Sequence, residues 1–247
     1  MNLIKKLTII AICATLIHCG GGGGSAPESQ NTPASVSDSS KQVNVSGADL
    51  CANKYTGAKL SPETIKNLIL ATNVNDPVYN SLGSNNRLVR WESPIQVYTG
   101  GVKRFDEAIS NIQNMTNGLV TFQTVDSSPQ DGISLLQGSA KDSDGCGSLE
   151  SDKNLFYGFF DSNEIAGAFY AHIGSSNCDD TVWGNHPSAV AEHEVMHALG
   201  LWEHFMPGYD WPDAKDGIMN DYARAVLINI YQNPINVTAE ELKICSF

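Results

Sequence analysis

With 247 residues, 41% of them hydrophobic, the chain can build one domain with a real core once its terminal segments are set aside. Its 27 acidic residues outnumber 15 basic ones, for a formal charge of −12, which argues against nucleic acid or anionic lipid headgroups as partners. There is no phosphate-binding glycine loop, no serine-centred nucleophile motif and no internal repeat.

Lys5 and Lys6 precede an apolar run over residues 7–17, too short for a stable membrane anchor and suited to the core of a signal peptide. The run ends in Leu16-Ile17-His18-Cys19, followed by five glycines and Ser25. This resembles a bacterial lipobox, in which the cysteine is lipidated and becomes the mature N-terminus. His18 departs from that pattern, where a small residue is usual, and the alternative is an ordinary secretory signal cleaved nearby. Residues 1–18 are therefore expected to be a signal peptide and the mature protein to be exported. A lipid on Cys19 would hold it on a bacterial membrane or cell surface; otherwise it is secreted. Loss of the two lysines leaves 13 basic residues against 27 acidic, a net charge of −14.

Residues 19–49 are rich in Gly, Ser, Pro, Asn and Gln and carry almost no large apolar side chains, so they are expected to form a flexible tether. Residues 50–247 remain for the globular domain. With Cys13 in the signal and Cys19 lipidated, four cysteines are left: Cys51, Cys146, Cys178 and Cys245. An even number outside the cytoplasm predicts two disulfides with three possible pairings, of which Cys146–Cys178 with Cys51–Cys245 is the expected one.

Within the domain, Pro94-Ile95-Gln96-Val97-Tyr98 alternates like a strand. Phe105, Ala108, Ile109, Ile112 and Met115 or Thr116 follow helical spacing, and Gly118 closes that helix. Residues 120–124 and 133–136 predict two further strands, and 155–160 and 166–173 two later ones. Asp142-Ser143-Asp144-Gly145 is a fragment of a calcium-loop pattern lacking a carboxylate at the twelfth position, so a solvated acidic loop is the expectation. Pro187-Ser188 offers a break and an N-cap, and Thr238-Ala239-Glu240-Glu241 reads as a capping box opening a last helix that carries Cys245.

The chemistry concentrates in His193-Glu194-Val195-Met196-His197-Ala198-Leu199-Gly200-Leu201-Trp202-Glu203-His204. His193 and His197 are four apart, so in a helix their imidazoles share one face and can reach one Zn²⁺ at about 2.0–2.1 Å. Glu194, beside the first histidine, is placed to take a proton from water rather than to bind metal. Gly200 is free to adopt positive φ, ending the helix and turning the chain back.

This stretch resembles the metzincin clan of zinc metallopeptidases, closest to its astacin and matrixin branches, whose pattern is H-E-x-x-H-x-x-G-x-x-H followed by a methionine turn. The match runs through Leu201. Beyond it, the pattern's third histidine falls on Glu203, and His204 comes one residue late. In one reading, the favoured one, His204 is the third ligand and the turn absorbs an extra residue; in the other, Glu203 binds in register to give a His₂Glu site. In a third, neither reaches the metal.

The resemblance implies an α+β domain, with a twisted mixed sheet, long helices and the zinc helix at the active-site cleft. It implies a methionine turn in Asp216-Gly217-Ile218-Met219-Asn220-Asp221-Tyr222, with Met219 beneath the histidines. Tyr222 would lie near the metal, though it follows the methionine by three residues rather than two. An edge strand before the zinc helix pairs with extended substrate in the family, and residues 166–173 are expected to be that strand or an ordinary sheet strand. His172 and His186 would serve a second metal site, as in matrixins, or simply be satisfied histidines. A latency role for Cys51 finds no support, because Leu50-Cys51-Ala52-Asn53 does not match the matrixin propeptide motif.

The implied activity is zinc-dependent endopeptidase hydrolysis of extracellular proteins, with His193, His197 and His204 on Zn²⁺ and Glu194 as general base. The alternative is a surface lipoprotein that keeps this scaffold and binds protein partners without cutting them. The expected partners are a protein or peptide substrate and no nucleic acid. The membrane is reached only through a lipid anchor, and the chain is expected to act as a monomer.

Overall fold

The computed structural model describes residues 60–75, 86–138, 146–151, 165–174, 188–205 and 221–245. All of them fall in the second of the two units into which the chain divides, Asn44–Phe247. The fold is α+β, and the described residues form four α-helices and a five-stranded mixed sheet. None of the described helices is long and apolar enough to cross a membrane.

Helix α1 (Pro62–Ile69) starts where the sequence supplies its signals. The Ser61 hydroxyl accepts the Thr64 N–H at 3.0 Å, Pro62 opens the first turn and Glu63 sits at the positive end of the helix dipole. The helix runs directly into a π turn over Leu70–Val74, closed by a 2.8 Å bond from the Asn75 N–H to the Leu70 carbonyl. Helix α2 (Lys103–Met115) buries Phe105, Ala108, Ile109 and Ile112, the apolar stripe expected from its spacing.

The sheet has the order β2-β1-β3-β5-β4, formed by β1 (Ile95–Tyr98), β2 (Phe122–Thr124), β3 (Gly132–Gln137), β4 (Gly147–Ser151) and β5 (Ala168–Ile173). All neighbours are parallel except β4, which runs antiparallel to β5 with Gly147 opposite Ile173 and Ser151 opposite Phe169. Helix α3 (Ala189–Ala198) packs against β5, β4 and α2, and helix α4 (Asp221–Gln232) packs against α1. Phe169 centres the core, with Trp91 edge-on at 5.5 Å and Trp202 tilted at 6.3 Å.

The expected strands at 94–98, 120–124, 133–136 and 166–173 are present, the second shortened to three residues. Two expectations are corrected. Residues 166–173 form the ordinary sheet strand rather than the edge: β5 lies between β3 and β4, and among the described residues the antiparallel edge is β4, whose Gly-Ser-Leu-Glu-Ser sequence carries little strand propensity. Among the described residues, no helix follows Thr238. The capping contact forms, with the Thr238 N–H on Glu241 Oε2 at 2.9 Å, but the chain then leaves helical geometry. Buried asparagines of and after α4 draw it away. Asn233 receives the Lys243 N–H and donates to its carbonyl, both at 2.9 Å, and Asn229 receives the Cys245 N–H at 2.8 Å. These bonds satisfy the backbone groups that a helix would have used. The candidate strand at 155–160 lies outside the described residues.

Candidate metal centre

Every residue of α3 is buried, including Glu192, His193, Glu194 and His197, so this helix is a core element with its chemistry built in. Ser188 precedes it, but its hydroxyl donates to Glu192 Oε1 at 2.7 Å instead of capping a backbone amide. The far end is a glycine-terminated stop. Gly200, at φ +110°, donates to the His197 carbonyl at 3.0 Å, and the Leu201 N–H reaches back to the Met196 carbonyl at 3.1 Å. A side chain at Gly200 would also crowd Asn73 Nδ2 and the Val89 carbonyl, so the position excludes one twice over.

On both sides of Gly200 the backbone is held group by group. The Trp91 indole N–H donates to the Ala198 carbonyl at 2.7 Å, and the Tyr231 hydroxyl to that of Leu199 at 3.1 Å. Burial pushes the Tyr231 hydroxyl up from its ordinary value, which keeps it protonated as that donor. Asn73 Nδ2 donates to the Gly200 carbonyl at 2.8 Å, while the Thr72 hydroxyl donates to the Glu203 carbonyl at 2.8 Å and accepts the Glu203 N–H at 3.2 Å.

This turn brings His204 over the helix. Its Nε2 stands 3.0 Å from that of His193 and 3.1 Å from that of His197, and the latter two are 3.1 Å apart. Two ligands about 2.05 Å from one ion at a tetrahedral angle lie about 3.3 Å from each other, so the triangle is within a few tenths of an ångström of a zinc-type donor set. His197 Nδ1 lies 2.7 Å from the Leu201 carbonyl, which can only accept, so the ring proton is on Nδ1 and the Nε2 lone pair faces the triangle. Among the described residues these three form the one group able to hold a metal ion, and His204, the exposed member, leaves the cluster open towards solvent.

The electrostatics favour neutral, ligating imidazoles. Burial, and then the neighbouring His197 and His204, hold His193 well below its ordinary value. Burial and then His204 lower His197 to about 3, against the raising effect of its contacts with the Leu201 and Trp202 backbone.

Glu194 projects beside β4. Its carboxylate lies against the Cα of Gly147, where any added Cβ would strike it. Sequence reasoning did not single out Gly147, the first residue of the edge strand; a glycine opening a weak strand carries no recognisable signal. Glu203 is not part of the metal-capable group: its backbone is tied to Thr72 and the residue is exposed. Tyr222 sits half-buried in the first turn of α4. Cys146 and Cys245 are both disulfide-bonded. His172 pairs with Glu150 at 3.4 Å across β5 and β4 and joins no metal-capable group among the described residues. Cys19, Cys51, Asp142 to Gly145, Cys178, His186 and Met219 lie outside the described residues. No known family model matches the chain, and no curated protein matches it.

Proposed function

We propose that this chain is a zinc-dependent endopeptidase of metzincin type that acts on proteins outside the cytoplasm. The observation that carries the reading is the triangle of His193, His197 and His204 Nε2 atoms, 3.0–3.1 Å on each edge, with the next helix residue after His193 a buried glutamate. Three imidazoles with an opening to solvent suit a catalytic Zn²⁺ better than a closed structural one, which takes four protein ligands. When bound there, Zn²⁺ supplies Lewis acidity and lowers the pKa of water towards about 7.

The chain's own residues do the rest. Glu194 Oε accepts a proton from the attacking water and passes it to the leaving amine nitrogen as the peptide bond breaks. Gly147 leaves room for that carboxylate at the start of β4. An extended peptide adding to the β4 edge would place its backbone beside Glu194, a mode in which main-chain hydrogen bonds give sequence-tolerant binding. The disulfide-bonded state of Cys146 and Cys245 supports an oxidising compartment, in keeping with export and a lipid anchor at Cys19.

The test is incubation of the zinc-loaded chain with denatured casein or gelatin beside its Glu194→Gln variant, with zinc content measured for both. Cleavage by the parent alone, with zinc retained by the variant, is the expected result. Bound zinc without cleavage by either would favour a protein-binding lipoprotein, and no bound metal at neutral pH would remove the zinc site itself.

A further inference from the structure

The departure of this sequence from the metzincin pattern is a spacing: three residues, not two, separate Gly200 from the ligating candidate His204. A longer turn has more ways to go, and a free one would hold an exposed histidine over the metal only part of the time. The structure supplies a clamp for it from a distant part of the chain.

The π turn over Leu70–Val74 is the source. Widening the helix by one residue places two consecutive side chains, Thr72 and Asn73, against the turn; both residues are fully buried. Asn73 Nδ2 donates to the Gly200 carbonyl at 2.8 Å and to the Val89 carbonyl at 2.9 Å, while its Oδ1 receives the Val89 N–H at 3.0 Å. The Thr72 carbonyl receives the Trp202 N–H at 3.2 Å. The Thr72 hydroxyl both donates to and accepts from the backbone of Glu203, the residue immediately before His204. The Leu201 carbonyl takes the His197 ring proton. The turn is thereby pinned at Gly200, Leu201, Trp202 and Glu203 in succession.

Resting on the reading of His193, His197 and His204 as a metal site, we infer that Thr72 is a positioning residue for the third ligand: its hydroxyl fixes the Glu203 backbone so that the longer turn delivers His204 to the metal. Asn73 fixes where the turn starts and Thr72 where it ends. Thr72 touches neither metal nor substrate and acts only through His204. Because Glu203 is exposed, its backbone N–H and carbonyl can turn to water when the hydroxyl is lost, so the variant should fold while losing the fixed register.

The experiment measures Zn²⁺ affinity of the full chain, disulfides intact, by competition with a chromophoric chelator at a temperature well below unfolding. Thr72→Val should lower affinity about tenfold or more, in the range found when groups supporting a ligand are removed. Thr72→Ser, which keeps the hydroxyl, should restore it. Thr72→Ala is a second variant with the same expectation, should the valine methyl disturb folding. In a His204→Ala background Thr72→Val should cost nothing further, because the ligand it serves is gone. Unchanged affinity in Thr72→Val, or an equal loss in the His204→Ala background, would overturn the inference while leaving the metal site standing. A parent chain that binds no Zn²⁺ would instead remove the proposed function, and this role with it.

Discussion

Acidification of the metal-free protein should destabilise it through the histidines of the site. His197 is held at about 3 when folded, and burial keeps His193 well below its ordinary value too. Unfolded, each titrates near 6.5. Above that value both states carry neutral imidazoles and nothing is lost. As pH falls below it, the unfolded chain binds protons that the folded chain refuses, so stability drops, by about 1.4 kcal/mol per pH unit for His197 and in the same direction for His193. For His197 the loss continues down to its folded value of about 3.

At pH 5 this amounts to about 2 kcal/mol for His197 alone, with His193 adding to it in the same direction, against the roughly 5–15 kcal/mol typical of a domain. Urea unfolding of the metal-free chain between pH 7.5 and 5 measures it, with His193→Gln/His197→Gln as the reference that carries every other titrating group. The parent should lose stability more steeply than the double variant by at least the His197 amount. Equal slopes, or a parent that gains stability on acidification, would refute the claim that these rings are buried in their neutral form. Saturating Zn²⁺ should deepen the contrast, because ligation also requires the neutral rings.

Four substitutions probe the surrounding structure. Gly147→Ala places a methyl against the Glu194 carboxylate and should reduce turnover of a peptide substrate about a hundredfold with zinc content unchanged, since a shift of about 1 Å in a catalytic group is enough for that. Glu203→Ala should leave Zn²⁺ affinity unaltered, as its side chain is outside the triangle; a large loss in a competition titration would revive the His₂Glu reading. Gly200→Ala meets Asn73 and Val89 at a φ of +110° and should cost about 2–4 kcal/mol in urea unfolding. Cys245→Ser opens a disulfide at a buried position and should cost about 2–5 kcal/mol under oxidising conditions.

What was legible in the sequence was what short-range periodicity encodes. The strand β1 alternates, β3 is a short apolar run after the turn residues Pro129, Asp131 and Gly132, α2 carries an apolar stripe, and the His193–His197 pair needs only helical spacing. Two helices escaped notice. Ser61-Pro62-Glu63 is a serviceable start signal for α1, but its helix is only eight residues long before the π turn. In α4 every position from Ala225 to Gln232 is buried, so no polar face reveals the helical period. The edge strand is a different failure. Nothing in Gly147 to Ser151 marks a strand, and which strand ends a sheet depends on pairing partners far along the chain.

The third histidine shows where local reading must stop. His193 and His197 are positioned by one helix, so their geometry follows from their spacing. His204 has left that helix, and nothing within a few residues of it chooses between His204 and Glu203. The choice is made by Thr72, separated from Glu203 by 131 positions, and by Asn73, separated from Gly200 by 127. A two-residue turn would have aimed position 203 at the cluster; the added residue, pinned by its own backbone to Thr72, moves the aim on by one. An insertion in a ligand loop is thus tolerated when a distant element supplies hydrogen bonds to the new backbone group. Where such a partner is missing, the same insertion should cost the ligand.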